Sequence, residues 1–169
     1  MPRPDLKKVP EFYHTYINQV PENELPDAFK KESLGFIQFL ESIPADKRDS
    51  RYAPGKWSIK EVLQHIIDGE RIFAYRALRF ARKDATPLPG FDENNYAAFA
   101  KTENRDWNDL VEEFKIVRRS SEILFGSFDE EQLNASGIAS NHSNYVLAFG
   151  YIIIGHANHH RKVIRERYL

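Results

Sequence analysis

Two histidines four residues apart, in Gly155-His156-Ala157-Asn158-His159-His160-Arg161, follow a long apolar run near the end of the chain. On a helix that spacing puts both imidazoles on one face, with Cβ atoms about 5–6 Å apart. Two ring nitrogens so placed can reach one metal ion at about 2.0–2.1 Å each. Tyr145, Phe149, Ile152 and Val163 share the line, so the imidazoles face a core. Buried imidazoles need partners. Either each donates to a carbonyl or carboxylate inside a polar core, or they hold a metal, and spacing alone leaves both readings open.

The rest of the chain narrows the setting. Its 169 residues suit one domain over residues 1–169 with room for a core. A formal charge of −1 supplies no field for recruiting nucleic acid or an anionic membrane. Cysteine is absent, so any metal site must be built from nitrogen and oxygen ligands. The longest apolar run, Tyr145 to Gly155, falls short of the ~20 residues a bilayer span needs. Met1-Pro2-Arg3-Pro4-Asp5 shows no signal-peptide hydrophobic region, and the expectation is a cytoplasmic protein acting on a small molecule.

Helical periodicity dominates. After a short segment around Phe12–Asn18, a first long helix is expected from about Asp27 to Ser42, with Leu34, Ile37 and Leu40 in register and Phe29, Phe36 and Phe39 widening the stripe. Ser58-Ile59-Lys60-Glu61 is a capping-box pattern and opens a second helix that runs to about Arg82 or Lys83. Thr86 to Thr102, with Pro87, Pro89 and Gly90, reads as a long connection carrying one short helix near Asn95–Ala100. A third helix spans Asp106 or Trp107 to about Phe125, a helical turn follows at Asp129–Leu133, and a fourth helix runs from Asn144 toward the C-terminus. Pro21, Pro26, Pro44 and Pro54 fall between periodic segments as punctuation, and no strand alternation persists. The expected fold is all-α: a four-helix bundle with a long crossover between helices two and three.

The second helix supplies a third candidate ligand, His65, which shares its face with Val62, Gly69, Ile72 and Arg76; Gly69 leaves space one turn on. Packing helices two and four together would bring His65, His156 and His160 to one point. Three histidines with one open position is the ligand count of a catalytic zinc site, although imidazoles suit Zn, Ni, Cu or Fe alike. His159 lies off that line and reads as a supporting group. His14 and His142 read as solvent-facing. A His-Glu-x-x-His protease motif is excluded because Ala157 stands where the glutamate would be, and only Glu11-Phe12-Tyr13-His14 fits di-iron spacing. Asp68, one turn beyond His65, is a candidate base or orienting group against the simpler reading of a surface carboxylate. Asp92 and Glu93, in the Pro/Gly connection, are candidates for a lid or substrate contact, with Asp92 also suited to capping. Of the cations on helix two and at the C-terminus, most suit solvated helix ends; Arg76, on the His65 face, is the candidate for binding a substrate carboxylate. Trp57, Trp107 and the phenylalanines read as packing.

Gly55-Lys56-Trp57-Ser58-Ile59-Lys60-Glu61-Val62-Leu63-Gln64-His65-Ile66-Ile67-Asp68-Gly69-Glu70 resembles the second-helix signature of the DinB-like superfamily. Arg76-Ala77-Leu78-Arg79-Phe80-Ala81-Arg82, Leu88-Pro89-Gly90-Phe91-Asp92-Glu93-Asn94 and the terminal His-x-x-His-His extend the likeness over most of the chain, nearest the branch with the YfiT-like bacillithiol transferases. The resemblance implies a bundle holding a divalent metal, usually zinc or nickel, through His65, His156 and His160. It also implies transfer of a low-molecular-weight thiol to an electrophile or isomerisation assisted by such a thiol, with many members of no assigned reaction. An open three-histidine site equally suits activation of water for hydrolysis, and a homodimer is expected. The three-histidine set is nearer the transferases than the maleylpyruvate isomerases. With no thiol in the chain, a thiolate would come from a cosubstrate. The alternative is a non-catalytic metal-binding or structural bundle, since fold and site do not fix a substrate.

Overall fold

The structure, a computed structural model, describes residues 3–169; Met1 and Pro2 of the N-terminal stretch read above lie outside the described residues. Two 3-10 turns, Leu6–Lys8 and Glu11–Tyr13, lead into the short helix α1 (His14–Ile17). Then follow α2 (Leu25–Glu41), α3 (Ile59–Ala81), α4 (Glu93–Phe99), α5 (Trp107–Gly126), α6 (Glu130–Asn134), strands β1 (Ser136–Ala139) and β2 (His142–Tyr145), and α7 (Val146–Arg167).

The helix starts are chemically explicit. At α3 the Ser58 hydroxyl accepts from Glu61 N (3.2 Å) while the Glu61 carboxylate accepts from Ser58 N (2.6 Å), so two free N–H groups are satisfied reciprocally. Asp92, Asp106 and Asp129 cap α4, α5 and α6 through their carboxylates. Pro26 lies inside the first turn of α2, where its missing N–H costs nothing, rather than between segments.

The four long helices form the bundle. The helix α3 packs against α7 and α5, and α2 packs against the same two, so α2 and α3 lie across a diagonal. Residues Val146 to Asn158 of α7 are buried all round, which explains its unbroken apolar run. Core side chains fall into two clusters, one around Phe29, Phe73, Phe80 and Phe149 and one around Phe36, Leu63, Phe114 and Ile164.

Two further expectations fail. A hairpin precedes α7, pairing Ser136 with Tyr145 through Ala139 with His142, so α7 begins at Val146 rather than Asn144. Its two-residue turn, Ser140-Asn141, has both φ values positive (52° and 64°), the backbone twist a tight hairpin requires. Leu88 of the Pro/Gly connection extends the hairpin: its N–H donates to Ile138 O (2.9 Å) and its carbonyl accepts from Ser140 N (3.0 Å). The long crossover from α3 to α5 is thereby held at the hairpin. His14 is half-buried rather than solvent-facing, with Nε2 3.0 and 2.9 Å from the carbonyls of Leu6 and Val9. His142 is exposed as expected.

Among the described residues, no helix is long and apolar enough to cross a membrane.

Candidate metal centre

Helices α3 and α7 bring His65, His156 and His160 together. The Nε2 of His156 lies 2.9 Å from Nε2 of His65 and 3.1 Å from Nε2 of His160. Ring nitrogens of all three lie within 4.8 Å of one another. Among the described residues each of these imidazoles finds its hydrogen-bond partner in another of the three, not in the carbonyls or carboxylates of a polar core. Four tetrahedral donors at about 2.0–2.1 Å from one ion would stand roughly 3.3 Å apart. The two separations to His156 are a few tenths of an ångström tighter and all three lie within 4.8 Å, so the donor set fits a divalent ion with modest ring movements.

Local packing explains the convergence. A Cβ on Gly69 would meet Cε1 of His156 at 3.2 Å, so the glycine makes the space that His156 fills. Gly155 does the same for the chain opposite: a Cβ there would sit 2.0 Å from the Tyr16 carbonyl oxygen, so only glycine lets α1 lie this close on α7. That approach sets the Tyr16 ring edge-on to His156, with centroids 5.3 Å apart. Trp57 packs on His65 at 4.8 Å. The sequence offered Trp57 as simple packing; in the structure it is a wall of the histidine cluster.

Burial also fixes the protonation. His65 is pulled down to about 4 by loss of water, partly opposed by the negative charge of Glu93. His156 and His160 are held well below the usual histidine range, first by burial and then by the neighbouring imidazoles. All three are therefore neutral at ordinary pH, the form whose lone pairs bind metals. His159 is lowered too, by burial first and Lys162 second, and its ring lies beside those of Tyr16 and His160.

The remaining sequence candidates occupy distinct places. Asp68 accepts a hydrogen bond from Gln64 Nε2 (3.0 Å) and lines a separate cavity of about 470 Å³ with Tyr96, Phe99 and Arg105. Its carboxyl is raised, chiefly by burial. Arg76 is buried, and its Nη2 donates to Pro89 O (2.9 Å) and to the Ser140 hydroxyl (2.8 Å), clamping the connection to the hairpin turn. Asp92 accepts from the N–H groups of Asn94 and Asn95 at the start of α4. Glu93 is the acid whose charge acts on His65, and it acts on the half-buried phenols of Tyr13 and Tyr16 as well. Its neighbour Asn94 lines a cavity of about 460 Å³ that opens on His160, with Trp57, Tyr52 and Tyr168 among its walls. Sequence reasoning had no signal for Tyr16, which reaches the cluster only through the tertiary approach at Gly155.

A family model described as the DinB superfamily matches residues 34–164. Among solved structures, the chain is similar to YfiT from Bacillus subtilis, described as a probable metal-dependent hydrolase with an unusual four-helix bundle topology. The TM-score is 0.74 at 13% sequence identity, over 96% of this chain and 89% of that one, which establishes the shared fold. No curated protein matches the sequence.

Proposed function

The chain belongs to the DinB superfamily, and from that premise we propose that it is a divalent-metal-dependent enzyme of hydrolytic type, with His65, His156 and His160 as the metal-holding residues. The observation that carries this reading is the meeting of three neutral Nε2 atoms that have no other partner among the described residues. Zinc or nickel suits an all-imidazole donor set. When bound, such an ion supplies Lewis acidity at the inner end of the cavity beside His160.

The chain's own residues supply the rest. Trp57, Tyr16 and Phe73 surround the imidazoles and exclude water from all but the cavity side. Glu93, at the first turn of α4, is the acid placed to take up a proton released there; the histidines themselves stay neutral. Asp68 serves by orienting Gln64 on the same helix as His65. Arg76 and Asp92 act on substrate through the connection and the helix α4 that they fasten. A second reading is thiol S-transfer, with a bacillithiol- or glutathione-type cosubstrate presenting its sulfur at the same position; the open cavity on His160 and the lack of cysteine favour an external thiol. The homodimer expected from the sequence would use the outer face of α2 and α5, where Leu34, Ile116 and Ile123 stand exposed.

Metal analysis of the purified protein tests the reading. We expect about one zinc or nickel per chain in the wild type, and less than about a tenth of that in His65→Ala and His156→Ala with helix content unchanged. Equal, substoichiometric metal in all three proteins removes the enzyme reading. With metal present, turnover of a 4-nitrophenyl ester marks the hydrolase, and conjugation of monochlorobimane by bacillithiol, mycothiol or glutathione marks the transferase. Neither activity would leave a metal-binding structural bundle.

A further inference from the structure

The cavity of about 460 Å³ that opens on His160 has a chemistry of its own. Along α7 it is lined by His160, Val163 and Arg167, at positions i, i+3 and i+7 of one helical stripe. Seven residues at 1.5 Å each put the backbone of Arg167 about 10 Å from that of His160. Lys56, just before the Ser58 cap, lines the cavity too. Between the histidine and these cations stand aromatic walls. Tyr52 and Tyr168 meet edge-on at 5.0 Å, Tyr168 donates its hydroxyl hydrogen to the Trp57 carbonyl at 2.7 Å, and Trp57 leans on His65.

The charges are one-sided. Lys56 and Arg167 are exposed, and neither forms an ion pair among the described residues. The Arg167 guanidinium lies over the Tyr52 ring at 5.3 Å, which holds it at the cavity wall. No carboxylate lines the cavity. Glu61, whose charge acts on Tyr168 in the cavity wall, is occupied by Arg51 and by the Ser58 N–H. Glu93 lies at the histidine end, beside Asn94.

We propose that this cavity takes an elongated substrate with an aromatic or apolar body and a terminal carboxylate, which Lys56 and Arg167 hold, with Arg167 two helical turns along α7 from His160. The proposal rests on the metal-site reading only for where the reacting group lies; the anion subsite itself is built from side chains alone. It also sets a specificity rule: a substrate of similar shape but ending in an amide forfeits two charge-assisted contacts.

Biphenyl-4-carboxylate and its uncharged isostere biphenyl-4-carboxamide match the span and form the probe pair. Isothermal titration on the full chain, once metal-free and once zinc-loaded, reads both. In the metal-free protein we expect the carboxylate to bind about tenfold more tightly than the amide. Lys56→Ala and Arg167→Ala should each reduce that ratio, and together bring it to about one while the amide affinity is unchanged. Both side chains are exposed, so the variants fold; equal helix content by circular dichroism checks this. No carboxylate preference in the wild type, or a preference indifferent to the double substitution, overturns the proposal. So does carboxylate binding that appears only with zinc and ignores both cations, because the anion would then be a metal ligand. Should metal analysis find no metal site, the carboxylate preference of the metal-free protein still stands or falls by itself.

Discussion

Protonating His65 in the folded chain places a cation between the Trp57 ring and two other imidazoles, out of contact with most of the solvent. That is why its pKa falls to about 4, whereas an unfolded histidine titrates near 6.5. Between those values the unfolded chain holds a proton that the folded, metal-free chain does not. Stability therefore rises with pH across the window and is lost as pH falls through it; His156 and His160, shifted in the same direction, add to the slope. Urea titrations of the metal-free protein should show the folding free energy dropping from pH 7 to pH 5, with about 2 kcal/mol of the drop due to His65. His65→Asn should flatten the profile by that share. A midpoint indifferent to pH in the wild type would mean that these imidazoles reach water.

The crossover between α3 and α5 shows what one element's place owes to side chains on another. Arg76 donates to Pro89 O and the Ser140 hydroxyl, Leu88 pairs with the hairpin, and Asp92 then starts α4 beside the histidines. Arg76→Met should cost about 1–3 kcal/mol by removing the charge-assisted hydrogen bonds to Pro89 O and the Ser140 hydroxyl. Faster amide exchange should be confined to residues 86–100, with metal stoichiometry unchanged; exchange rates measured with and without the substitution decide it. None of this linkage was legible in the sequence, because Arg76 and Ser140 are 64 residues apart and no local pattern pairs them. The long helices were legible within a few residues, since their apolar period and the Ser58-Glu61 capping box are local signals. The hairpin was not: four-residue strands with a mixed burial pattern and a Ser-Asn turn offer too little alternation to read. His65, His156 and His160 could be placed on inward faces by periodicity, but the approach of α1 over them depends on a glycine whose meaning appears only when Tyr16 arrives.

Across the whole molecule, each seam between neighbouring long helices carries a polar tie. Glu70 on α3 and Arg118 on α5 form a fully buried bidentate pair at 2.9 and 2.8 Å. Ser33 on α2 donates to Glu122 on α5 (2.8 Å), and Arg161 on α7 pairs with Glu32 on α2 (2.9 Å). The α3–α7 seam is closed instead by neutral imidazoles. His156 Nε2 faces His65 across the seam and His160 on its own helix, and as one neutral nitrogen it makes a full hydrogen bond to only one of them, contributing about 1 kcal/mol. A ligand bound only by the folded chain adds RT ln(1 + [L]/Kd), about 2.7 kcal/mol at a hundredfold excess over Kd. For a chain of this length that corresponds to a rise in Tm of roughly 5–10 °C on adding zinc or nickel. Calorimetry should find the rise in the wild type and lose it in His65→Ala and His156→Ala. Ser33→Ala, which loosens the α2–α5 seam, should lower the starting Tm yet keep the full increment, because separate seams contribute additively. An increment that persists without the histidines, or vanishes with Ser33, would show that the stabilising ion binds somewhere other than the α3–α7 seam.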